Sequence, residues 1–315
     1  MSGVSQHSVG ADADGQRLDR WFRQHFPGVP HGRLEKLLRT GQIRVDGHRA
    51  KGNTRLEAGQ QIRVPPLDAT APPKARAPDP RGVKELADAI VHMDEHVIVI
   101  DKPAGLAVQG GSGVGRSVDA LLDGLTFEKK ERPKLVHRLD QDTSGLLVLA
   151  RTSVAARKLT QAFRERDTEK LYWAIVVGVP PAKQGKFDQR LAKTGGAGSE
   201  RMRAADDGKS AVTLYRMLDS AARQASFLEL RPVTGRTHQL RAHCAEAGCP
   251  ILGDGKYGGR AAFLDSVADA RKLHLHARAL RIPHPGGGML ELEAPPSSHI
   301  LETMRRLGFD PAGAR

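Results

Sequence analysis

Apolar positions along this chain recur in two rhythms. In "RLDRWFRQHF", Leu18, Trp21, Phe22 and Phe26 fall at helical spacing. "HGRLEKLLRTG" repeats the pattern with Leu34, Leu37 and Leu38, and Gly41 sits where a helix would stop. The period then drops to two: "QIRVDGHRA" alternates Ile43 and Val45 ahead of an Asp46-Gly47 turn, and "QQIRVPP" adds a further short strand. Residues 15–66 therefore read as a small α/β unit. The preceding "MSGVSQHSVGADAD" (1–14) has no apolar periodicity and is expected to be a disordered tail. The Pro- and Ala-rich "PPLDATAPPKARAPDP" carries none either, and residues 67–85 are expected to be a semi-stiff linker.

Beyond it the period-two rhythm dominates, over residues 86–315. "AIVHMDEHVIVIDKP" is two alternating runs around Asp94-Glu95, a hairpin pattern, and "GLLVLA" (145–150) is the continuous apolar run of a strand covered on both sides. "KLYWAIVVGV", "SAVTLYRML", "ASFLELRPV", "LHLHA" and "GMLELEAP" are further strands. "VDALLDGL" behind Ser117, "VAARKLTQAFRER" behind Ser153, and "RTHQLRAHCAEAG" are helices. Strands outnumber helices and several are adjacent in sequence. The expected class is α+β, with a mainly antiparallel mixed sheet carrying helices.

Charge changes this picture. The 315 residues contain 49 Lys+Arg against 36 Asp+Glu, a net charge of +13. Within residues 15–64, eleven cations (Arg17, Arg20, Arg23, Arg33, Lys36, Arg39, Arg44, Arg49, Lys51, Arg55, Arg63) face four acids (Asp19, Glu35, Asp46, Glu57). A solvated helix face mixes signs more evenly; this excess suits a polyanion such as RNA. No apolar run approaches the ~18–20 residues of a membrane span. Two cysteines in the whole chain point to a reducing, cytoplasmic setting.

The chemistry gathers at "LVHRLDQDTSGLLVLAR". His137, Arg138, Asp140 and Asp142 stand directly ahead of a core strand. A turn that merely hydrogen-bonds itself would use the same residues. Other segments add to them: "EKLYWAIVVG" puts Lys170 and Tyr172 on one strand face, and "RPVTGRTHQLRAH" places Arg236 at a helix start. "CPILGDGKYGG" forms a Gly-rich loop with an apolar lip. A carboxylate, a guanidinium to keep it ionised and a phenol can act at a sugar–base junction. "GGSGVGRS" (110–117) fits a phosphate-binding loop of an NTPase, except that Arg116 stands where the phosphate-reaching lysine belongs. His238, His243, Cys244, Cys249, His274 and His276 match no common zinc spacing.

Residues 15–64 resemble the S4 RNA-binding module in "RLDRWF", "GRLEKLLRTGQIRVDGHRAK" and "AGQQIRVPP". "VIVIDKPAGLAVQGGSG", "HRLDQDTSGLLVLAR", "KLYWAIVVG" and "PVTGRTHQLRAH" together resemble the RluA superfamily of pseudouridine synthases, in its branch acting on large-subunit ribosomal RNA. The resemblance implies isomerisation of uridine, with Asp140 as the catalytic aspartate and Tyr172 stacking on uracil and serving the C5 proton transfer. It further implies Arg236 paired with Asp140, Arg138 filling the gap left by the flipped base, and Ile251 and Leu252 lining the uracil slot. Arg17, Arg20, Arg33, Lys36, Arg39 and Arg44 would contact RNA through the S4-like unit. The partner would be 23S ribosomal RNA or a pre-ribosomal particle, the chain a monomer, and the reaction free of cofactor and metal. His137 is expected to be structural. The rival readings are an S4 RNA-binding protein with an inactive second domain, or the NTPase.

Overall fold

The computed structural model describes residues 3–67, 78–110, 116–195, 201–267 and 271–310. The chain divides into two compact units, Met1–Ala77 and Pro78–Arg315.

In the first unit, strand β1 (Ser5–Ser8) is followed by helices α1 (Leu18–His25) and α2 (His31–Arg39). Strands β2 (Arg44–Val45), β3 (His48–Arg49) and β4 (Gln61–Val64) complete a sheet of order β1-β4-β2-β3. The helical and alternating positions converge: Leu18, Trp21, Phe22, Leu34, Leu37, Leu38, Ile43, Val45, Ile62 and Val64 share one core. The β2–β3 hairpin turns at Asp46 and Gly47, whose φ of 47° and 78° suit a two-residue turn. The expectation of a disordered tail at 1–14 is corrected. β1 pairs antiparallel with β4, Ser5 opposite Val64, and Val9 and Ala13 enter the core. A strand of four polar residues carries no alternation; its backbone pairing, not its side chains, places it there.

The second unit opens with α3 (Pro80–Asp88). This corrects the linker reading for its last residues: Asp79 caps the helix by accepting from the amides of Arg81 and Gly82, and Pro80 occupies the first turn, where no amide partner is required. Residues 68–77 of that stretch lie outside the described residues. Then follow β5 (Ile90–Met93), β6 (Val97–Lys102), α4 (Val118–Leu121), β7 (Lys134–Leu135), β8 (Ser144–Ala150), α5 (Ser153–Glu165) and β9 (Glu169–Val177). β10 (Gln184–Thr194), β11 (Arg201–Ala204), β12 (Lys209–Ala221), β13 (Ala225–Pro232) and α6 (Gln239–Glu246) come next, then α7 (Gly255–Gly258), β14 (Leu275–Pro283), β15 (Met289–Glu293) and α8 (Ser298–Leu307). One 11-stranded sheet runs β11-β10-β12-β13-β9-β14-β8-β6-β5, with β15 on β14 and β7 on β8. Its pairings are antiparallel except β14 with β8, as the α+β expectation requires.

β8 lies deep in this sheet, and all seven of its residues are buried. Leu147 and Leu149 pack towards α3 and α4, while Leu146, Val148 and Ala150 pack towards α5. β9 is likewise covered twice, by Ala174 and Val176 towards α6 and by Trp173 and Ile175 towards α8. Thr152, not Ser153, caps α5; its hydroxyl accepts from the Ala155 amide, and Ser153 binds Glu131 instead. No helix of the described residues is long and apolar enough to cross a membrane.

The parallel junction of β8 with β14 sets the position of everything ahead of β8. There Gly145 lies opposite Ala277 at φ +106°, and a Cβ at 145 would overlap the Ala277 carbonyl. Gly145→Ala is therefore expected to cost at least about 3 kcal/mol, through backbone strain and a forced strand separation. Gly248→Ala provides the control, with φ +75° but nothing within 4 Å; it is expected to cost only about 1 kcal/mol. Urea denaturation of both variants checks the ranking, and equal losses would show that the β8–β14 approach is not under steric constraint.

Candidate active site

The loop joining β7 to β8 carries Asp140. Its backbone turns locally, with the Thr143 amide bonded to the Asp140 carbonyl, and it is fastened from below. The Lys102 side chain, fully buried at the end of β6, donates to the carbonyls of Pro103 (2.8 Å), Leu106 (2.9 Å) and Gln141 (2.9 Å). Gly105 and Gln141 add backbone and side-chain bonds across the same junction. Burial pushes the Lys102 ammonium down to about 8, against the pull of Asp142, Asp140 and Asp101. The residue after Asp140 is thus fixed through its carbonyl, while the Asp140 carboxylate is left to face a cleft.

That cleft, of about 280 Å³, is lined by Arg138, Leu139, Asp140, Phe163, Lys170, Tyr172, Arg236, His238, Leu240, Arg241 and Leu275, among others. It brings together four of the residues expected from sequence: Arg138, Asp140, Tyr172 and Arg236. Asp140 keeps only 16% of its side-chain surface exposed. Tyr172 stands on β9 facing the cleft, and burial, with the nearby Asp140 charge, raises its phenol well above the ordinary range. It is therefore a neutral hydroxyl at any working pH. Arg138 is exposed at the rim and makes no hydrogen bond or ion pair with the described residues.

The cation beside Asp140 differs from the expectation. Arg241 Nη1 lies 3.8 Å from one carboxylate oxygen, and His238 Nε2 lies 3.6 Å from the other. Arg236 instead donates Nε to the Ser210 carbonyl at 3.1 Å. The reason is where α6 begins. His238, at φ +50°, is the last residue before the helix, so Arg236 remains in the preceding turn, and His238 and Arg241, three apart, share the face that meets Asp140. Arg241 is nearly buried and held in a fork by Asp254, at 2.7 and 2.8 Å. Its guanidinium also lies over the Tyr257 ring at 5.1 Å. His238 Nδ1 bonds the Tyr257 hydroxyl at 2.9 Å, and burial lowers its pKa although Asp140 pulls the other way. Asp254 and Tyr257 come from the Gly-rich loop, where Asp254 caps α7 by accepting from the Tyr257 amide.

Ile251 and Leu252 are corrected as well. Both are fully buried in the cores flanking β9, Ile251 beneath α6 and Leu252 beneath α8, and neither lines the cleft. Chain direction explains this, because the Leu252 amide bonds to the Ile175 carbonyl, tucking the segment against β9. Leu139, Leu240 and Leu275 supply the apolar wall instead. Lys102, His238, Arg241, Asp254 and Tyr257 were missed from sequence. The readable signal was the His-x-x-Arg spacing within "THQLR" and the capping spacing Asp254-x-x-Tyr257.

His137 is structural, as expected. Its Nε2 accepts from the Val148 amide at 2.8 Å, its ring stacks on Phe163, and burial, with Lys170 nearby, pushes it down to about 3. His274 bonds Thr303 and His276 bonds Ser144; among the described residues no His, Cys, Asp or Glu cluster is arranged to hold a metal. Residues 111–115 of the NTPase-like loop lie outside the described residues. Arg116, in the lysine position, is bound to Glu85 and approaches Asp79.

In the first unit a separate groove of about 750 Å³ is lined by Arg17, Asp19, Glu35, Arg39, Arg49 and Lys51 with neighbouring small residues. It gathers Arg17 and Arg39 from the expected set. Arg20, Arg33, Lys36 and Arg44 are not part of its wall; Arg44 bonds the carbonyls of Gly41 and Gly47 across the hairpin.

Residues 96–246 match the family described as RNA pseudouridylate synthase. The chain is 36% identical over 308 residues to ribosomal large subunit pseudouridine synthase C of Escherichia coli (strain K12), covering 95% of both chains. It is 37% identical to the protein of the same name from Rickettsia prowazekii, covering 88% of this chain and 93% of that one. The structure of human RNA pseudouridylate synthase domain containing 4 aligns with a TM-score of 0.61 at 32% identity, over 72% of this chain and 96% of that one.

His137, His243 and His276 are all held neutral by burial, with pKa values pushed down to about 3, 4 and 4. The unfolded chain takes up these protons near pH 6.5, whereas the folded chain does not until far lower. Stability should therefore fall as pH drops from about 6.5 towards 4, by up to ~1.4 kcal/mol per pH unit for each imidazole. Chemical denaturation at pH 7.5 and pH 5 measures the slope. His137→Gln should flatten it by close to one proton; an unchanged slope would show that His137 is protonated in the folded protein.

Proposed function

This chain belongs to the RNA pseudouridylate synthase family, and from that premise we propose that it isomerises uridines of large-subunit ribosomal RNA at the cleft around Asp140. Isomerisation breaks the N1–C1′ bond, forms C5–C1′, removes a proton from C5 and places one on N1. A base in a stack cannot present these atoms, so the nucleotide must first be extruded. Arg138, exposed at the rim, is a planar cation able to stack where the base stood. The uracil then fits between the Tyr172 ring and the leucine wall. The observation that carries the reading is the position of Asp140 at 3.6–3.8 Å from His238 and Arg241. Whether the carboxylate attacks C1′ or takes a sugar proton, it must be ionised in a largely dry cleft, and an adjacent guanidinium favours that state.

The ribosomal substrate is supported by the names of the relatives, which act on the large subunit. Binding is assigned to the first unit, whose cation excess resembles an S4 module and whose groove carries Arg17, Arg39, Arg49 and Lys51. Such a surface contributes affinity that weakens with salt. The chain is proposed to work as a cytoplasmic monomer.

Two measurements test this. Pseudouridine mapping of ribosomal RNA from cells with and without the protein should show large-subunit sites that depend on it. In vitro, Asp140→Asn should fold, bind RNA within a few-fold of the parent and form no pseudouridine. Asp142→Asn should keep substantial activity, since Asp142 does not line the cleft and Asp140 and Asp101 still oppose the desolvation of Lys102. An active Asp140→Asn protein would overturn the assignment of the carboxylate. Deleting the first 77 residues should weaken RNA binding and flatten its salt dependence; an unchanged salt slope would remove the first unit from RNA recognition.

A further inference from the structure

When the N1–C1′ bond breaks, its electron pair stays with the base. The detached uracil is a monoanion, its charge spread over N1, O2 and O4. It is released into a cleft that already holds the Asp140 carboxylate. Some cation must meet it, and most of those nearby are committed. Arg241 is forked to Asp254, and Arg236 is bonded to the Ser210 carbonyl. Arg138 is exposed at the rim, where it suits the gap in the RNA.

Lys170 is the exception. It stands two residues before Tyr172 on β9, so both side chains project from the same face, about 7 Å apart along the strand. Leu171 and Trp173 point the other way, into the core beneath α8. Lys170 lines the same cleft, and its ammonium lies 4.0 Å from the point where a side chain at Gly235 would begin. It makes no hydrogen bond or ion pair with the described residues. Burial, and beyond that the Arg166 charge, lower its pKa, so the ammonium is short of a counter-charge. Within the cleft it sits half-buried among the lining residues that include Phe163 and His137, deeper than the exposed Arg138.

We infer that Lys170 binds a carbonyl oxygen of the flipped uracil and stabilises the uracil anion as the glycosidic bond breaks. A uracil ring stacked on Tyr172 carries its carbonyl oxygens at its edge, and Lys170 stands one step away on the same strand face and lines the same cleft. Reattachment at C5 returns the electron pair to the new C5–C1′ bond, the C5 proton leaves, N1 is protonated, and Lys170 is left as it began. The group therefore acts only while the base is detached, when its attraction lowers the barrier without tightening ground-state binding. This role rests on the proposed function above.

The test compares the parent with Lys170→Met and Lys170→Arg in single-turnover assays at saturating RNA, with RNA affinity measured separately. Lys170→Met should slow the reaction on uridine by about 100-fold while RNA Kd stays within about 3-fold, and Lys170→Arg should recover part of the rate. The second arm uses RNA carrying 5-fluorouridine at the target and follows its consumption by mass analysis of the nucleosides. Fluorine makes the departing base a weaker base, so the Lys170→Met loss should shrink several-fold on that substrate. Equal losses on the two substrates, a rate within 2-fold of the parent, or a defect confined to Kd and its salt dependence would each overturn the inference, the last in favour of a phosphate contact. Lys170→Gln replaces Lys170→Met if the latter lowers Tm, and the same readings decide. A parent protein that forms no pseudouridine would sink the proposed function instead.

Discussion

A buried ammonium holds the cleft in register. Lys102 sits at the end of β6 with no exposed surface and gives its three protons to three carbonyls on two different loops. Removing the ammonium would take away the donor shared by the Pro103 and Leu106 carbonyls and leave the Gln141 carbonyl with only the Gly105 amide, untying one loop from the other. The arrangement is stable because three acids, Asp142, Asp140 and Asp101, lie close enough to oppose the desolvation cost. The Asp140 charge thus has two structural effects. It faces the cleft, and it helps keep charged the lysine that anchors its own loop. A neutral residue at 140 alters both, and an isosteric amide does so without also emptying the space the carboxylate fills.

The second organising feature is the sharing of one guanidinium between two carboxylates. Arg241 is saturated on its Nε/Nη2 edge by Asp254 and turns Nη1 towards Asp140 at a looser 3.8 Å. The fork to Asp254 fixes the guanidinium plane, and a bidentate pair has little freedom to reorient. The Asp140 carboxylate is thereby left partly uncommitted towards the cleft. This contact also separates Asp140 from Asp142, which does not line the cleft.

Much of the fold was legible because periodicity reports burial. β8 and β9 are covered on both faces and read as continuous apolar runs; α1, α2 and α5 show one apolar face; the Asp46-Gly47 hairpin announces itself by turn chemistry. What escaped was held by backbone pairing or by polar caps. β1 is four polar residues, and β10 and β11 lie at one end of the sheet with mostly exposed side chains, so neither shows the expected alternation. α3 was hidden by the Pro-rich stretch it terminates, although Asp79-Pro80 is itself a helix-start signal. At the cleft, the residues expected from one short motif, Arg138 and Asp140, and Tyr172 on its strand do line a common wall. The expectation misplaced those whose direction depends on a helix starting two residues later, and on a loop folding inward at Ile251.

The start of α6 is set by one residue in an uncommon backbone conformation. His238 has left-handed backbone dihedrals, φ +50° and ψ 22°, uncommon for a residue with a Cβ and costing of order 1 kcal/mol. A conformation of this kind persists only where the surroundings over-determine it. Here they do: the ring nitrogens bond the Tyr257 hydroxyl on one side and approach Asp140 on the other, and the hydroxyl in turn accepts from the Met202 amide. With ordinary dihedrals at 238 the chain would enter α6 on a different path and shift Arg241 from Asp140. The strain at one residue is therefore offset by three polar contacts, and it sets the direction of the helix that supplies the counter-charge. The Tyr257 hydroxyl that completes these contacts comes from a loop whose own cap is Asp254, the partner of Arg241. Loop, helix and carboxylate consequently form a closed ring of constraints, so a change at Tyr257 or Asp254 should be felt at Asp140 without either touching the substrate.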